Sequence, residues 1–232
     1  MATLDFARFE ALTFDCYGTL IDWEAGISTG LAAMLAAHGI EPETEELLER
    51  FAGHEAALEA GPYRRYRDIL AEAGRRIGRD YGLVPTEGQI EAFAGSVGEW
   101  PAFPDSAAAL AGLATRFRLG VITNCDDDLF AMSNRRLGVT FDWIVTAQQA
   151  GSYKPDPRNF ELAFERMGLP RERILHVAQS LFHDHVPAKA LGLTTVWIDR
   201  RRDRPGFGAT PPAQATPDLT LPDMASLAEA AG

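Results

Sequence analysis

Cysteine is scarce in this chain. Cys16 and Cys125 are the only two, too few for a disulfide framework, and their rarity points to a reducing compartment. Long apolar runs are missing as well: none approaches the length that spans a bilayer. The opening residues Met1-Ala2-Thr3-Leu4-Asp5 carry neither the basic nor the apolar region of a secretory signal. These absences are read as a cytoplasmic protein without a membrane partner. Basic residues are outnumbered, 22 Lys and Arg against 33 Asp and Glu, for a formal net charge of −11. That deficit argues against a nucleic-acid partner. It is also awkward for an anionic substrate, whose site must build its own local positive field. The one dense basic cluster, Arg200-Arg201-Arg202-Asp203-Arg204, reads as a solvated loop.

What is present is ample apolar content, 46% over 232 residues, enough for one core and an inserted subdomain. Short apolar runs at 11–14, 119–123, 143–146, 174–178 and 195–198, with a weak one near Leu219, predict strands. Between them, amphipathic stretches at 106–116, 127–137, 158–167 and 185–191 predict helices, with capping acids before them and Gly138, Gly168 or Gly192 closing three of them. Alternation of strand and helix implies βαβ units and a parallel sheet. Residues 22–100 differ. They hold no convincing strand and predict helices over 26–38, 43–59, 63–79 and 86–97, broken by Gly39, Gly61-Pro62, Gly82 and Pro85. The expected organisation is α/β: a Rossmann-like core of residues 1–21 and 101–232, and a four-helix cap of residues 22–100.

The most informative segment is Phe14-Asp15-Cys16-Tyr17-Gly18-Thr19-Leu20. Asp15 emerges where a buried strand ends, at the edge where open parallel sheets bind ligands. A carboxylate held there can act as a nucleophile through an ester. Taken alone, Asp15 could equally cap a turn. Three later segments decide between these: Gly120-Val121-Ile122-Thr123-Asn124, Tyr153-Lys154-Pro155-Asp156-Pro157, and Val177-Ala178-Gln179-Ser180-Leu181-Phe182-His183-Asp184. In this order the four resemble the motifs of the haloacid dehalogenase superfamily. The Asp-x-Tyr-Gly-Thr-Leu start is similar to its 2-haloacid dehalogenase branch.

The resemblance implies hydrolytic dehalogenation of short 2-haloacids through an ester on Asp15, with no cofactor and no metal. Lys154 is then the cation that keeps Asp15 ionised, and Asp184 the base or water-positioner. Tyr17, Thr19, Thr123, Asn124, Gln179 and Ser180 are candidate substrate-binding residues. The partners implied are a small haloacid and its halide, and a homodimer. A halide acceptor on the cap is assigned to Arg50, with Arg64, Arg65 and Arg67 as rivals and His54 one turn beyond Arg50. His183 and His185 flank Asp184 but do not share a face, so they are not read as a metal site.

Departures from the family pattern bear on the competing readings. Tyr17 stands where phosphatases of the superfamily place a second acid, and Gln179 where they place a magnesium-binding acid; hard cations prefer anionic oxygens. Both disfavour the phosphatase alternative. A catalytically idle binding protein is disfavoured by the joint presence of Asp15, Thr123, Lys154 and Asp184. Phe160 replaces a tyrosine common in relatives, and Gln179-Ser180-Leu181 replaces a serine–asparagine pair. Both touch substrate in relatives, so the preferred acid or halide is open.

Overall fold

The computed structural model describes residues 4–232; Met1, Ala2 and Thr3 of the leader reading lie outside the described residues. Six parallel strands form one sheet in the order β3-β2-β1-β4-β5-β6. They are β1 (Ala11–Phe14), β2 (Arg118–Thr123), β3 (Trp143–Thr146), β4 (Ile174–Ala178), β5 (Thr194–Ile198) and β6 (Leu219–Leu221). Every residue of β1 and β4 is buried. Strands covered on both faces carry continuous apolar runs rather than alternation, which is why these segments were legible as strands.

Four helices lie between β1 and the second strand's approach: α1 (Trp23–Ala36), α2 (Thr44–Glu59), α3 (Tyr66–Asp80) and α4 (Glu87–Gly95). The sheet is flanked by α5 (Ser106–Leu113), α6 (Asp127–Leu137), α7 (Ala147–Ala150), α8 (Arg158–Met167), α9 (Val186–Ala190) and α10 (Met224–Ala231). Among the described residues, no helix is long and apolar enough to cross a membrane. The crossing from β1 into α1 is tight. A Cβ on Gly26 would meet the Trp100 ring at 2.2 Å, so only glycine lets α1 lie against the fully buried indole that begins the return to the sheet.

Two expectations need correction here. The 200–204 segment is not wholly a solvated loop. The Arg200 guanidinium donates to Asp105 at 2.9 and 3.0 Å, and the buried Arg201 pairs with Glu24 and Glu45 on the inserted helices. The helix expected over 185–191 starts later, at Val186, and Asp184 is not its N-cap. Asp184 lies inside a π-helical turn, Leu181–His185, whose cap is Ser180. Such wide turns recur at functional sites because they re-aim side chains that an α-turn would stack.

Strand register sets the site. Thr13 pairs with His176, and Phe14 with both Val121 and Val177. The C-terminal ends of β1, β2 and β4 therefore lie side by side, and the residues that follow them converge.

Candidate active site

The residue after β1 is Asp15, buried at the floor of a cavity. Gly18, at φ +94°, turns the chain back on itself. Thr19 Oγ1 thereby donates to Asp15 Oδ2 at 2.7 Å and accepts from the Gln179 amide at 2.9 Å. Lys154 Nζ reaches the other oxygen, Oδ1, at 2.9 Å. The same ammonium donates to Asp184 Oδ1 at 2.7 Å and to the Ile122 carbonyl at 2.8 Å. All three of its protons are thus used, and the side chain is 1% exposed.

Asp184 is held from behind. His176 Nε2 lies 3.0 Å from Asp184 Oδ1, and His176 Nδ1 lies 3.0 Å from Thr13 Oγ1. A carboxylate only accepts, so Nε2 carries a proton toward Asp184, and Nδ1 is engaged with the Thr13 hydroxyl. Among the described residues, Asp184 Oδ2 is buried without a partner, an acceptor left open beside the cavity. Phe160 packs edge-on against the His176 ring, with centroids 5.1 Å apart. It supports this relay and does not line the cavity. The sequence reading missed His176. Its signal was a lone imidazole in the otherwise apolar strand Ile174-Leu175-His176-Val177-Ala178.

The protonation balance follows from burial and charge. Burial raises the Asp15 pKa, against the opposing pull of Lys154 and Thr19. Burial also opposes ionisation of Asp184, but Lys154 and His176 outweigh it and leave that carboxyl well below the usual range. Burial alone would lower the Lys154 pKa; the two carboxylates reverse the sign and raise it. The result is an ion triad whose central cation is spent on two acids.

The cavity is lined by Asp15, Tyr17, Asn124, Lys154, Ser180, His183 and Asp184 from one side, and by Trp23, Glu55, Glu59 and Tyr66 from the inserted helices. The placement of the expected residues divides sharply. Asp15, Lys154 and Asp184 meet as expected. Tyr17, Asn124 and Ser180 line the cavity, but all three are already engaged. The Tyr17 hydroxyl lies 2.9 Å from Ser133 Oγ and receives the Cys125 thiol at 3.4 Å. Asn124 brackets the Lys154 backbone, accepting from its N–H at 2.7 Å and donating to its carbonyl at 3.0 Å; it positions the lysine. Ser180 Oγ accepts the His183 amide at 2.9 Å and lies 3.1 Å from its Nδ1.

Three expected substrate contacts do not line the cavity. Thr19 is spent on Asp15. The Thr123 hydroxyl is buried and has no partner among the described residues. The Gln179 side chain lies behind the Gly18 turn, its Oε1 3.1 Å from where a Gly18 Cβ would stand. The largest correction concerns Arg50. Its guanidinium is 44% exposed, bonds Glu46 one turn back at 2.7 Å and lies over the Tyr81 ring. His54 on the same stripe pairs with Asp80 at 2.7 Å. Residues 46, 50 and 54 form the outer face of α2, whereas Phe51, Glu55 and Glu59 form the inner one. Nor do the rival arginines reach the cavity: Arg65 and Arg67 pair with Asp128 at 3.0 and 2.9 Å, and Arg64 reaches only the Asp68 carbonyl, at 3.4 Å.

The inner face of α2 is held over Asp15 by α3. The amides of Tyr66 and Arg67, at the start of α3, donate to the buried Asp126 carboxylate at 3.0 and 3.1 Å. A helix N-terminus favours an anion there. Tyr66 then donates its hydroxyl to Glu55 Oε1 at 2.7 Å. Burial raises the Glu55 pKa to about 8, although the Tyr66 bond works against it. Burial and the charge of Glu55 push Glu59 well up too, with Lys154 opposing. Burial depresses His183 to about 4, so it is a neutral imidazole at pH 7.

Glu55 makes stability depend on pH. Its folded pKa lies above the ordinary value of 4.5, so between those limits the folded chain holds a proton that the unfolded chain releases. Its contribution is complete below about 4.5 and is lost as pH rises through about 8. Glu55→Gln removes this slope. Urea unfolding at pH 5 and pH 9 should show the variant gaining on the wild type by on the order of 4 kcal/mol at the higher pH. Parallel pH dependences for the two proteins would contradict it.

A model of the haloacid dehalogenase-like hydrolase family matches residues 9–191. Among curated proteins, the chain is 28% identical over 222 residues to haloacetate dehalogenase H-2 of Moraxella sp., covering 94% of this chain and 95% of that one. It is 32% identical over 170 residues to a phosphoserine phosphatase of Thermus thermophilus, covering 71% of this chain and 64% of the relative. The fold is similar to the solved L-2-haloacid dehalogenase of Xanthobacter autotrophicus, with a TM-score of 0.79 at 21% identity, over 95% of this chain and 97% of that one. A match across most of the chain, on a parallel sheet that gathers Asp15, Lys154 and Asp184 at one edge, places this chain in the haloacid dehalogenase-like hydrolase family.

Proposed function

We propose that the protein hydrolyses short 2-haloacids to 2-hydroxyacids through an ester on Asp15. The observation that carries this reading is the Lys154 ammonium bridging Asp15 and Asp184 at 2.9 and 2.7 Å. It holds one carboxylate ionised as nucleophile and a second beside it as base. In the first step an Asp15 oxygen attacks C2 of the acid. The carbon–halogen bond breaks and the halide leaves with its electron pair. In the second, water attacks the Asp15 ester carbonyl. The open Oδ2 of Asp184 takes a proton from the water and returns it to the departing alkoxide oxygen, so that collapse releases the 2-hydroxyacid with inverted configuration and Asp15 loses the remaining proton to solvent. Charge builds on the carbonyl oxygen during this step, and a donor preorganised toward it contributes most there.

The donor set does not suit the magnesium ion that the phosphatase branch of the superfamily implies. Tyr17 has its hydroxyl tied to Ser133 and Cys125, the Gln179 side chain is outside the cavity, and the Lys154 ammonium fills the space between the two acids. The test is halide release from fluoro-, chloro- and bromoacetate with and without EDTA. Release should be unchanged by the chelator. Activity that disappears with EDTA and returns with magnesium, on phosphate esters in place of haloacids, would sink the reading.

On this reading residues 22–100 are a cap over a core of 1–21 and 101–232, the partners are a haloacid and its halide, and the protein works as a cytoplasmic homodimer. Arg50 has no part in it. Arg50→Ala should leave kcat, KM and the melting temperature at wild-type values, because the residue faces solvent; a large loss of kcat would return it to the site.

A further inference from the structure

The cap offers the cavity acids where a cation was expected. Four carboxyl groups line it, those of Asp15, Glu55, Glu59 and Asp184, with Lys154 the one cationic side chain among the lining residues. Lys154 has no proton left to donate: Asp15, Asp184 and the Ile122 carbonyl take all three. The two cap acids therefore have no cation of their own.

Their geometry points inward. Glu55 and Glu59 stand one turn apart on α2, in the stripe that includes the fully buried Phe51. Residues four apart share a helix face. Glu55 lines the cavity and accepts the Tyr66 hydroxyl on Oε1. The Glu59 side chain is 7% exposed and makes no hydrogen bond among the described residues; the nearest basic atom is His183 Nε2 at 3.9 Å. The Ser180 hydroxyl accepts the His183 amide, so its own proton serves His183 Nδ1. The imidazole is satisfied as a neutral group and supplies no charge to Glu59.

A buried carboxyl without a partner is costly, and two side by side repel when ionised. Such an arrangement is stabilised when a ligand brings the missing donors. We propose that Glu55 and Glu59 form a subsite for a substrate ammonium group, so that the substrate is a short 2-haloacid bearing a basic amine. This rests on the dehalogenation reading for the reacting end, while the cap subsite stands on its own residues. The substrate's amine faces α2, and its halogen-bearing carbon faces Asp15.

Binding and turnover separate the two claims. Asp15→Asn protein, which holds ligand without forming the ester, is titrated calorimetrically with 2-chloropropionate and with 3-amino-2-chloropropionate. The amino acid should bind at least about tenfold more tightly, the equivalent of roughly 1.4 kcal/mol. Adding Glu59→Gln or Glu55→Gln should reduce that preference, and adding both should abolish it. Equal or weaker binding of the amino acid overturns the subsite, as does a preference that survives both substitutions. Tighter binding of plain 2-chloropropionate would show instead that the acids act as neutral donors to an anion. Halide release by the wild type is measured on the same two compounds. If neither releases halide but the amine preference persists in binding, the dehalogenation reading falls and the subsite stands. Release from both without preference has the opposite meaning.

Discussion

Asp15→Asn is expected to lower halide release by roughly 10⁴-fold or more, the scale of loss when a covalent nucleophile is removed, with the far-ultraviolet dichroism of the folded chain retained. An amide does not displace a halide, and none of the other cavity acids is placed to substitute. Asp184 is held by Lys154 and His176, and Glu55 and Glu59 are on the opposite wall. The ester makes a sharper claim than the loss of rate. In a single turnover in water enriched in oxygen-18, the label enters the Asp15 carboxylate, because water attacks the ester carbonyl. The peptide containing Asp15 gains one heavy oxygen while the first product carries none. Label in the first product would mean that water attacks the haloacid itself and that Asp15 serves as a base.

Lys154→Met is expected to have the second largest effect. The substitution keeps an unbranched chain of similar length and removes the charge between two buried carboxylates. Each lost charge-assisted hydrogen bond is worth about 1.5–3 kcal/mol. Without the cation, the two buried carboxyls oppose each other's ionisation, and Asp15, already raised by burial, takes up a proton. The nucleophile is then blocked over the neutral range. We expect kcat to fall by about 10³-fold, with KM changed less. The acid limb of the pH–rate profile should move to higher pH, since the already raised pKa of Asp15 loses its main opposing charge. Steady-state kinetics from pH 5 to 10 measure both. A uniform loss of kcat with an unmoved acid limb would mean that Lys154 contacts the substrate rather than tuning Asp15. Wild-type melting behaviour in the variant would be equally informative, because a broken buried ion triad is expected to destabilise the fold by about 3–5 kcal/mol.

Much of the fold was legible along the chain. Strands covered on both faces, such as Ala11–Phe14 and Ile174–Ala178, betray themselves as short uninterrupted apolar runs. The meeting of Asp15, Lys154 and Asp184 was legible for a related reason. Each of the three follows a strand end or a turn at a fixed offset, and local sequence defines that offset. Asp15 leaves β1, Lys154 precedes Pro155, and Asp184 follows the Gln179-Ser180 turn. Arg50 failed because it is carried on a helix that approaches from elsewhere in the chain. Its face depends on the rotation of α2 about its own axis, and a shift of one residue turns a helix by about 100°. The Glu55 and Glu59 carboxyls were overlooked because acids on a helix ordinarily face water.

The sequence by itself determined the parallel sheet, the inserted helices, and the buried Asp15 with its ionic partners, since strand ends and turn residues act locally. Only the tertiary structure decided what faces them. The Asp126 carboxylate at the start of α3, the Tyr66 hydroxyl on Glu55 and the Phe51 stripe of α2 together rotate two acids inward and Arg50 outward. Burial then changes their chemistry: the same glutamate that would be an ordinary anion in water holds its proton to about pH 8 inside this cavity. That desolvation is a property of the packed inserted helices, and no stretch of sequence contains it.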